Sequence, residues 1–149
     1  MNKNYAKFFG MIITSAILMF MVMYLNTYEL SHVYFSETRL YMTILSTCVM
    51  AVIMLSFMLH MLKNKKINIA ILVISVLVFT SSFFLMRQQT TIDDVDYMEA
   101  MIPHHSIALL TSKRANISDP RVIELADGIV KAQNKEIAEM KKLIEDLDD

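Results

Sequence analysis

Hydrophobic residues are distributed in two different ways along the chain, and the change falls near residue 87. Before it, three continuous apolar runs occupy residues 8–25, 40–62 and 67–86, and none of them contains Asp, Glu, Lys or Arg. The runs contain 18, 23 and 20 residues, close to the length of about 20 residues that a helix needs to cross the hydrocarbon core of a bilayer. A soluble helical core would require a polar face on each helix, which these runs lack. The first part of the chain is therefore predicted to form three transmembrane helices.

The second part of the chain has periodic apolar positions separated by charged residues. Asp93 or Asp94 can cap a first helix that extends to about residue 115, and its first turn is acidic, as the helix dipole favours. Asp119 followed by Pro120 is a strong start signal for a second helix, which extends to about residue 147. Because the turn between them is short, the two helices are predicted to form an antiparallel hairpin.

These patterns together predict an all-α fold in two parts. Residues 1–87 form the membrane segment with its three transmembrane helices, and residues 91–149 form the helical hairpin. Pro103 falls inside the first hairpin helix, where it removes one backbone hydrogen bond and is expected to kink the helix without ending it.

The second hairpin helix has a mostly apolar face at helical spacing, interrupted by two polar residues near its middle. Its members are Val122, Leu125, Ala126, Ile129, Gln133, Glu136, Met140, Ile144 and Leu147. This face is predicted to pack on the first hairpin helix.

Lysines indicate the orientation in the membrane. Two precede the first apolar run and three lie in the short link between the second and third runs (Lys3, Lys7, Lys63, Lys65, Lys66), whereas only Arg39 lies between the first and second. Since positive residues are enriched on the cytoplasmic side, the N-terminus is predicted to lie inside and the hairpin outside.

The charge and the cysteine content of the chain exclude some partners and some structural features. The chain has 149 residues, of which 55% are hydrophobic, and a net charge of −1. The hairpin has no basic stripe of the kind that follows a phosphate backbone, so nucleic acid is not an expected partner. A single cysteine, Cys48, excludes an intramolecular disulfide.

The strongest candidate chemistry lies in residues 98–105, which read Met-Glu-Ala-Met-Ile-Pro-His-His. Thioether sulfur and imidazole nitrogen together suit Cu(I) or Ag(I) better than hard cations. Helical spacing places Asp94, Met98, Met101 and His105 on one stripe, and the hairpin brings Met140 towards them, with Gln133 and Glu136 beside it. The sequence therefore predicts a soft-metal site inside the hairpin.

Other chemistries have weaker support. The hairpin contains neither a zinc-protease motif nor the Glu-x-x-His pairs of di-iron bundles, and no glycine elbow accompanies Ser106 as a nucleophile. The chain is therefore not expected to be an enzyme. Methionine at helical spacing is often packing, so the cluster could also be hydrophobic core. The methionine face of the second apolar run (Met50, Met54, Met58, Met61) is interpreted as packing.

Two blocks of the hairpin resemble the family known as domain of unknown function 305. The first is Asp94-x-x-Tyr97-Met98-x-x-Met101-Ile102-Pro103-His104-His105-x-x-Ala108, and the second is Ala126-x-x-Ile129-x-x-x-Gln133-x-x-Glu136-Ile137-x-x-Met140. The resemblance covers about residues 91–147 and leaves out the membrane segment.

This resemblance implies a ferritin-like helical module on the outer side of bacterial membranes, with some members associated with copper and silver. The metal ligands that it implies are Met98, Met101, His104, His105 and Met140, with possible support from Asp94, Gln133 and Glu136. Ser106 and Thr111 depart from the family pattern, where Gln and Met are common, and Thr111 removes one sulfur ligand. A hairpin is also half of a four-helix bundle, which implies a second copy packed on the face that carries Ile129, Ile137 and Ile144.

We therefore expect a multi-pass protein of the bacterial cytoplasmic membrane that binds Cu(I) or Ag(I) outside the cytoplasm for buffering, resistance or delivery. Its expected partners are membrane lipid, a second copy of the chain and a copper-handling membrane protein. The alternative is a structural or regulatory membrane protein whose hairpin mediates oligomerisation and whose methionines are packing.

Overall fold

The computed structural model describes residues 3–148, and this part of the chain contains five α-helices and no β-strand. The helices are α1 (Lys3–Val22), α2 (Glu37–Met58), α3 (Lys65–Gln88), α4 (Asp94–Arg114) and α5 (Pro120–Asp148), and a single 3-10 turn lies at Leu30–His32. The predicted segments 1–87 and 91–149 extend to residues 1, 2 and 149, which lie outside the described part. The all-α prediction is confirmed for the described residues.

Helices α1, α2 and α3 are each long and apolar enough to cross a membrane. Their bounds differ from the predicted runs, because α1 includes Lys3 and Lys7 and ends at Val22, and α2 starts at Glu37 and ends at Met58. Lysine and glutamate are good helix formers, so the helices extend past the apolar runs into polar residues. Asn64 caps α3 by accepting hydrogen bonds from the backbone of Lys66 and Ile67.

Two compact units make up the fold. The first contains α1 and residues 38–91, and its buried cluster includes Tyr5, Phe8, Ile12, Ala51, Leu55, Leu62 and Ile71. The Tyr5 hydroxyl donates to Oδ1 of Asn68 at 2.8 Å and accepts from the Asn64 backbone N–H at 3.1 Å. Met50, Met54 and Met58 pack against this cluster, as expected for methionines that fill a core.

The second unit contains α4 and α5, called here the hairpin, together with residues 23–37, called here the connector. The sequence assigns the connector to the membrane segment, but in the structure it groups with the hairpin. Asp93 caps α4 through a capping box with Asp96, and α4 continues through Pro103 without ending. Asp119 accepts a hydrogen bond from the backbone of Arg121 at 2.9 Å and so starts α5.

The core of the hairpin shows that the predicted packing face of α5 was partly wrong. The buried residues are Met98, Ile102 and Leu109 of α4 with Ile137 and Ile144 of α5, and Val130 and Met140 pack beside them. Ile137 therefore replaces the predicted members Val122, Leu125 and Leu147, which are 44%, 64% and 56% exposed. Ile137 and Ile144, two members of the face expected to contact a second copy, are buried in the hairpin core, and the second copy itself stays a prediction.

Candidate metal-binding groove

A groove of about 580 Å³ runs along one side of the seam between α4 and α5. It is lined by apolar, thioether, imidazole and carboxylate side chains: Asp94, Tyr97, Met98, Met101, His105, Glu136, Glu139, Met140, Leu143 and Leu147. The α4 members have the spacings 3, 1, 3 and 4 residues, and the α5 members have the same spacings, so one face of each helix forms one wall.

The groove brings together six of the eight residues named from the sequence: Asp94, Met98, Met101, His105, Glu136 and Met140. The other two lie elsewhere. His104 is exposed and meets His105 edge to face, with ring centroids 6.0 Å apart. Gln133 lines a separate surface depression with Arg121, Glu124 and Leu125.

The three groove methionines differ in burial. Met98 is 7% exposed and belongs to the hairpin core, so packing alone accounts for its position. Met101 and Met140 are half-buried at the groove wall. Because a thioether needs no deprotonation before it binds a metal, these side chains can act as ligands near neutral pH.

His105 and Glu136 form the main polar contact of the groove. The Nδ1 atom of His105 lies 3.0 Å from Oε2 of Glu136, and the two side chains are 17% and 50% exposed. Nδ1 is shielded from solvent and makes no well-directed hydrogen bond within residues 3–148, so the contact with the carboxylate is electrostatic. The sequence predicted Glu136 beside the methionine and histidine stripe, and in the structure its carboxylate contacts His105.

Nitrogen, thiolate and carboxylate ligands alone do not form a site here. Among the described residues, no three His, Cys, Asp or Glu side chains are grouped so that they could hold a metal ion. Zinc is usually bound by such groups, in sets of three or four. A metal in this groove would therefore depend on thioether sulfur.

The other side of the seam carries a polar contact that the sequence did not predict. The fully buried Ser106 accepts a hydrogen bond from the Tyr28 backbone N–H at 2.7 Å, and its Oγ lies 3.0 Å from Nδ1 of His32. The connector is thus fixed to α4. Ser106 lies four residues after Ile102 and three before Leu109, so its place on a buried stripe was readable from the sequence, but its partners were not.

Burial lowers the pKa of His32, a nearby Lys141 ammonium adds to that effect, and Glu29 opposes it. His32 Nε2 lies 3.8 Å from Oε2 of Glu29, and Lys141 reaches the connector at Ser31 Oγ, 3.4 Å away. Ser106, His32 and Glu29 match a hydrolytic triad only in their residue types. The Ser106 hydroxyl is buried and already bound to the main chain, so a substrate could not reach it.

Comparisons with known proteins agree with the resemblance in the hairpin. The family described as Domain of unknown function (DUF305) matches residues 85–148, which confirms the predicted family and its C-terminal position. A protein of Acanthamoeba polyphaga mimivirus, described as uncharacterized, is 30% identical over 141 residues, which cover 92% of this chain and 93% of the relative. No solved structure matches the chain. Neither description names a ligand, and the relative is viral, so copper binding and a bacterial origin stay predictions.

Proposed function

The C-terminal part of this chain, residues 85–148, belongs to the DUF305 family, and we propose that the chain is a membrane-anchored protein whose hairpin binds Cu(I) or Ag(I) outside the cytoplasm. In this proposal the protein buffers the metal, contributes to resistance or delivers the metal to another protein. It carries out no catalytic turnover.

The observation that carries this proposal is the shared groove of Met98, Met101, Met140 and His105. Cu(I) and Ag(I) are soft ions that accept thioether sulfur together with imidazole nitrogen. The donor set fits those ions better than Zn(II), which gains little from thioethers. The Nδ1 atom of His105, shielded from solvent without a well-directed hydrogen bond, marks the groove as a place where polar groups are not fully satisfied by the fold.

The groove methionines also have an environment that differs from ordinary core packing. Met101 is half-buried beside an imidazole and carboxylates, and Met140 lines the same groove while it also packs against the hairpin core. Met50, Met54 and Met58 pack against an apolar cluster and line no such polar groove. A thioether that only fills space needs no such polar neighbours.

A competition titration against a Cu(I) chelator tests the proposal on the full chain in detergent. Met101→Leu nearly conserves volume and should cost under about 1.5 kcal/mol of stability. We expect it to weaken Cu(I) binding, while the matched control Met54→Leu in α2 leaves the affinity unchanged. Wild-type affinity in both Met101→Leu and His105→Ala would show that the groove is hydrophobic packing.

A substitution of His104 distinguishes between two possible sets of metal ligands. The family resemblance implies it as a ligand, but its side chain is exposed and does not line the groove. We propose His105 as the imidazole ligand, so His104→Ala should weaken Cu(I) binding less than His105→Ala does. The reverse order would move the site to the outer surface of α4.

The proposed location depends on the lysines at the ends of the membrane helices, which favour a cytoplasmic N-terminus and an external hairpin. A reporter enzyme that is active only outside the cytoplasm, fused after residue 149, should be active. An inactive but stably produced fusion would invert the orientation and remove the extracytoplasmic role.

Oligomerisation through the hairpin is the second candidate function. Three groove residues favour it, because Tyr97, Leu143 and Leu147 are 55%, 45% and 56% exposed. We propose a second copy of the chain as the partner on this side, which would complete a four-helix bundle. Sedimentation in detergent with and without Ag(I) tests it, since a metal-independent dimer that binds no Ag(I) would favour this function over metal binding.

A further inference from the structure

The contact between His105 and Glu136 determines more than the position of one side chain. Oε2 of the carboxylate lies 3.0 Å from Nδ1 of the imidazole, and that nitrogen is shielded from water. No hydrogen-bond partner with good geometry reaches this nitrogen within residues 3–148, so the carboxylate contact is electrostatic. The local environment of Nδ1 is therefore dominated by one negatively charged oxygen.

A neutral imidazole has one nitrogen that carries a proton and one that carries a lone pair. If the lone pair were on Nδ1, an electron-rich nitrogen would lie 3.0 Å from the negative carboxylate oxygen, and shielding from water would strengthen the repulsion. A proton on Nδ1 turns the same contact into an attraction. The carboxylate therefore favours the Nδ1–H tautomer, whereas a free histidine in water favours the Nε2–H form.

We propose that Glu136 is a positioning residue that holds His105 in the Nδ1–H tautomer, so that Nε2 is the nitrogen that binds the soft metal. This inference rests on the proposed function. Metal-binding histidines commonly donate their other ring N–H to a carboxylate, which fixes the ring and makes the ligating nitrogen more basic.

Glu136 acts here through His105 and is not a ligand. A carboxylate is a hard ligand that a soft ion binds poorly, so its contribution to Cu(I) or Ag(I) affinity is indirect. Glu139 gives a matched control, because it lies on the same helix, lines the same groove and has no recorded contact with His105.

Nitrogen NMR on the full chain tests the tautomer without any metal. The protein would be labelled with ¹⁵N in its four histidines, held in detergent micelles at a pH where the rings are neutral, and assigned with His105→Gln. We expect the Nδ1 atom of His105 to resonate as a protonated nitrogen. Glu136→Ala should shift it towards the Nε2–H form, whereas Glu139→Ala should not. An Nε2–H ring in the wild type would overturn the role of Glu136.

An Ag(I) titration of the same variants tests the consequence for binding. Loss of such a supporting carboxylate typically weakens metal binding about 10- to 100-fold. We expect a loss of this size for Glu136→Ala, a smaller loss for Glu136→Gln, whose amide oxygen keeps a partial negative charge near Nδ1, and a clearly smaller loss than that of Glu136→Ala for Glu139→Ala, which removes a charge from the groove but not from His105. Equal losses in Glu136→Ala and Glu139→Ala would indicate general electrostatics and would also overturn the proposal.

The two measurements separate the two hypotheses. If the wild type has the Nδ1–H ring but binds no Ag(I), the proposed function fails, and the role of Glu136 towards a metal fails with it. If the wild type binds Ag(I) with an Nε2–H ring, the proposed function stands and only the role of Glu136 is overturned.

Discussion

The two sides of the α4–α5 seam place a histidine in opposite situations. On the connector side, His32 is 6% exposed and its Nδ1 meets the buried hydroxyl of Ser106. On the groove side, His105 has a shielded Nδ1 that meets only the carboxylate of Glu136 and makes no well-directed hydrogen bond among the described residues. The first side is closed and its polar groups are paired. The second is open, and its polar groups are available to a ligand.

Residues that are adjacent in the sequence lie on opposite sides of the seam. His105 lines the groove and Ser106 binds the connector, and on α5 Met140 lines the groove while Lys141 contacts Ser31. A step of one residue turns a helix by about 100°, which is enough to change sides of a seam. The contrast indicates that the connector supplies structure and leaves the opposite face free for binding.

Loss of side-chain volume should destabilise the hairpin more at a buried core position than at the open groove. Ile102 is fully buried in the hairpin core, so Ile102→Ala should destabilise the hairpin by about 2–5 kcal/mol. Leu143 in the groove is 45% exposed, and Leu143→Ala should cost under about 1 kcal/mol. Hydrogen exchange of the α4 amides, measured by mass spectrometry on the full chain in detergent, would give both values. Equal losses would remove the distinction between a closed and an open side.

Loss of thioether sulfur from the groove should lower Cu(I) affinity more than the same loss from α2. Replacing Met98, Met101 and Met140 together by leucine keeps most of the volume but removes every thioether of the groove. We expect Cu(I) affinity to fall by at least about 100-fold, or roughly 2.7 kcal/mol. The matched triple replacement in α2, at Met50, Met54 and Met58, should leave the affinity unchanged, because those side chains pack against an apolar cluster. If both triple variants bind Cu(I) equally, the comparison of the methionines fails.

Local sequence signals predicted where the hairpin helices start and where the three long apolar helices lie. Asp93 and the Asp119-Pro120 pair are read from their immediate neighbours, and the three apolar runs need only length and composition. The groove stripe on α4 also followed from helical spacing, because Met98, Met101 and His105 lie within two turns of one another.

Contacts between distant residues could not be predicted in the same way. Ser106 meets the backbone of Tyr28, which is 78 positions away, and no periodicity within either segment encodes that pairing. The packing face of α5 was misjudged for a related reason. Its apolar stripe is wide, and which part of it packs depends on α4 and the connector, so Ile137 became core while Leu125 stayed exposed.

Removal of one atom, the hydroxyl oxygen of Ser106, tests how the closed side is held together. Ser106→Ala removes the hydroxyl and leaves the Tyr28 N–H and His32 Nδ1 without this partner. Loss of one partner from a buried polar group typically costs about 1–3 kcal/mol. We expect faster hydrogen exchange in α4 and easier proteolysis of the connector, while Thr111→Ala on the exposed surface of α4 changes neither. Unchanged protection in Ser106→Ala would mean that the connector is held by apolar contacts.

The smallest expected effect is the pH dependence of hairpin stability that arises from His32. Burial and Lys141 lower its pKa in the folded protein below the ordinary value of 6.5, whereas Glu29 raises it. Above 6.5 the ring is neutral in both states, and the stability of the hairpin is fully present. As the pH falls below 6.5 the unfolded chain takes up the proton first, so stability is lost until the pH has passed the lower folded pKa.

Hydrogen exchange of α4 between pH 7.5 and 5.5, corrected for intrinsic exchange rates, would measure this loss, and the difference from His32→Gln separates it from the effects of the other histidines. Lys141→Gln should reduce the pH dependence, because it removes a cation that lowers the pKa of His32. Glu29→Gln should increase it, because it removes the charge that raises that pKa. If His32→Gln keeps the full pH dependence of the wild type, the closed side does not depend on a neutral His32, and the contrast between the two histidines would have to rest on burial alone.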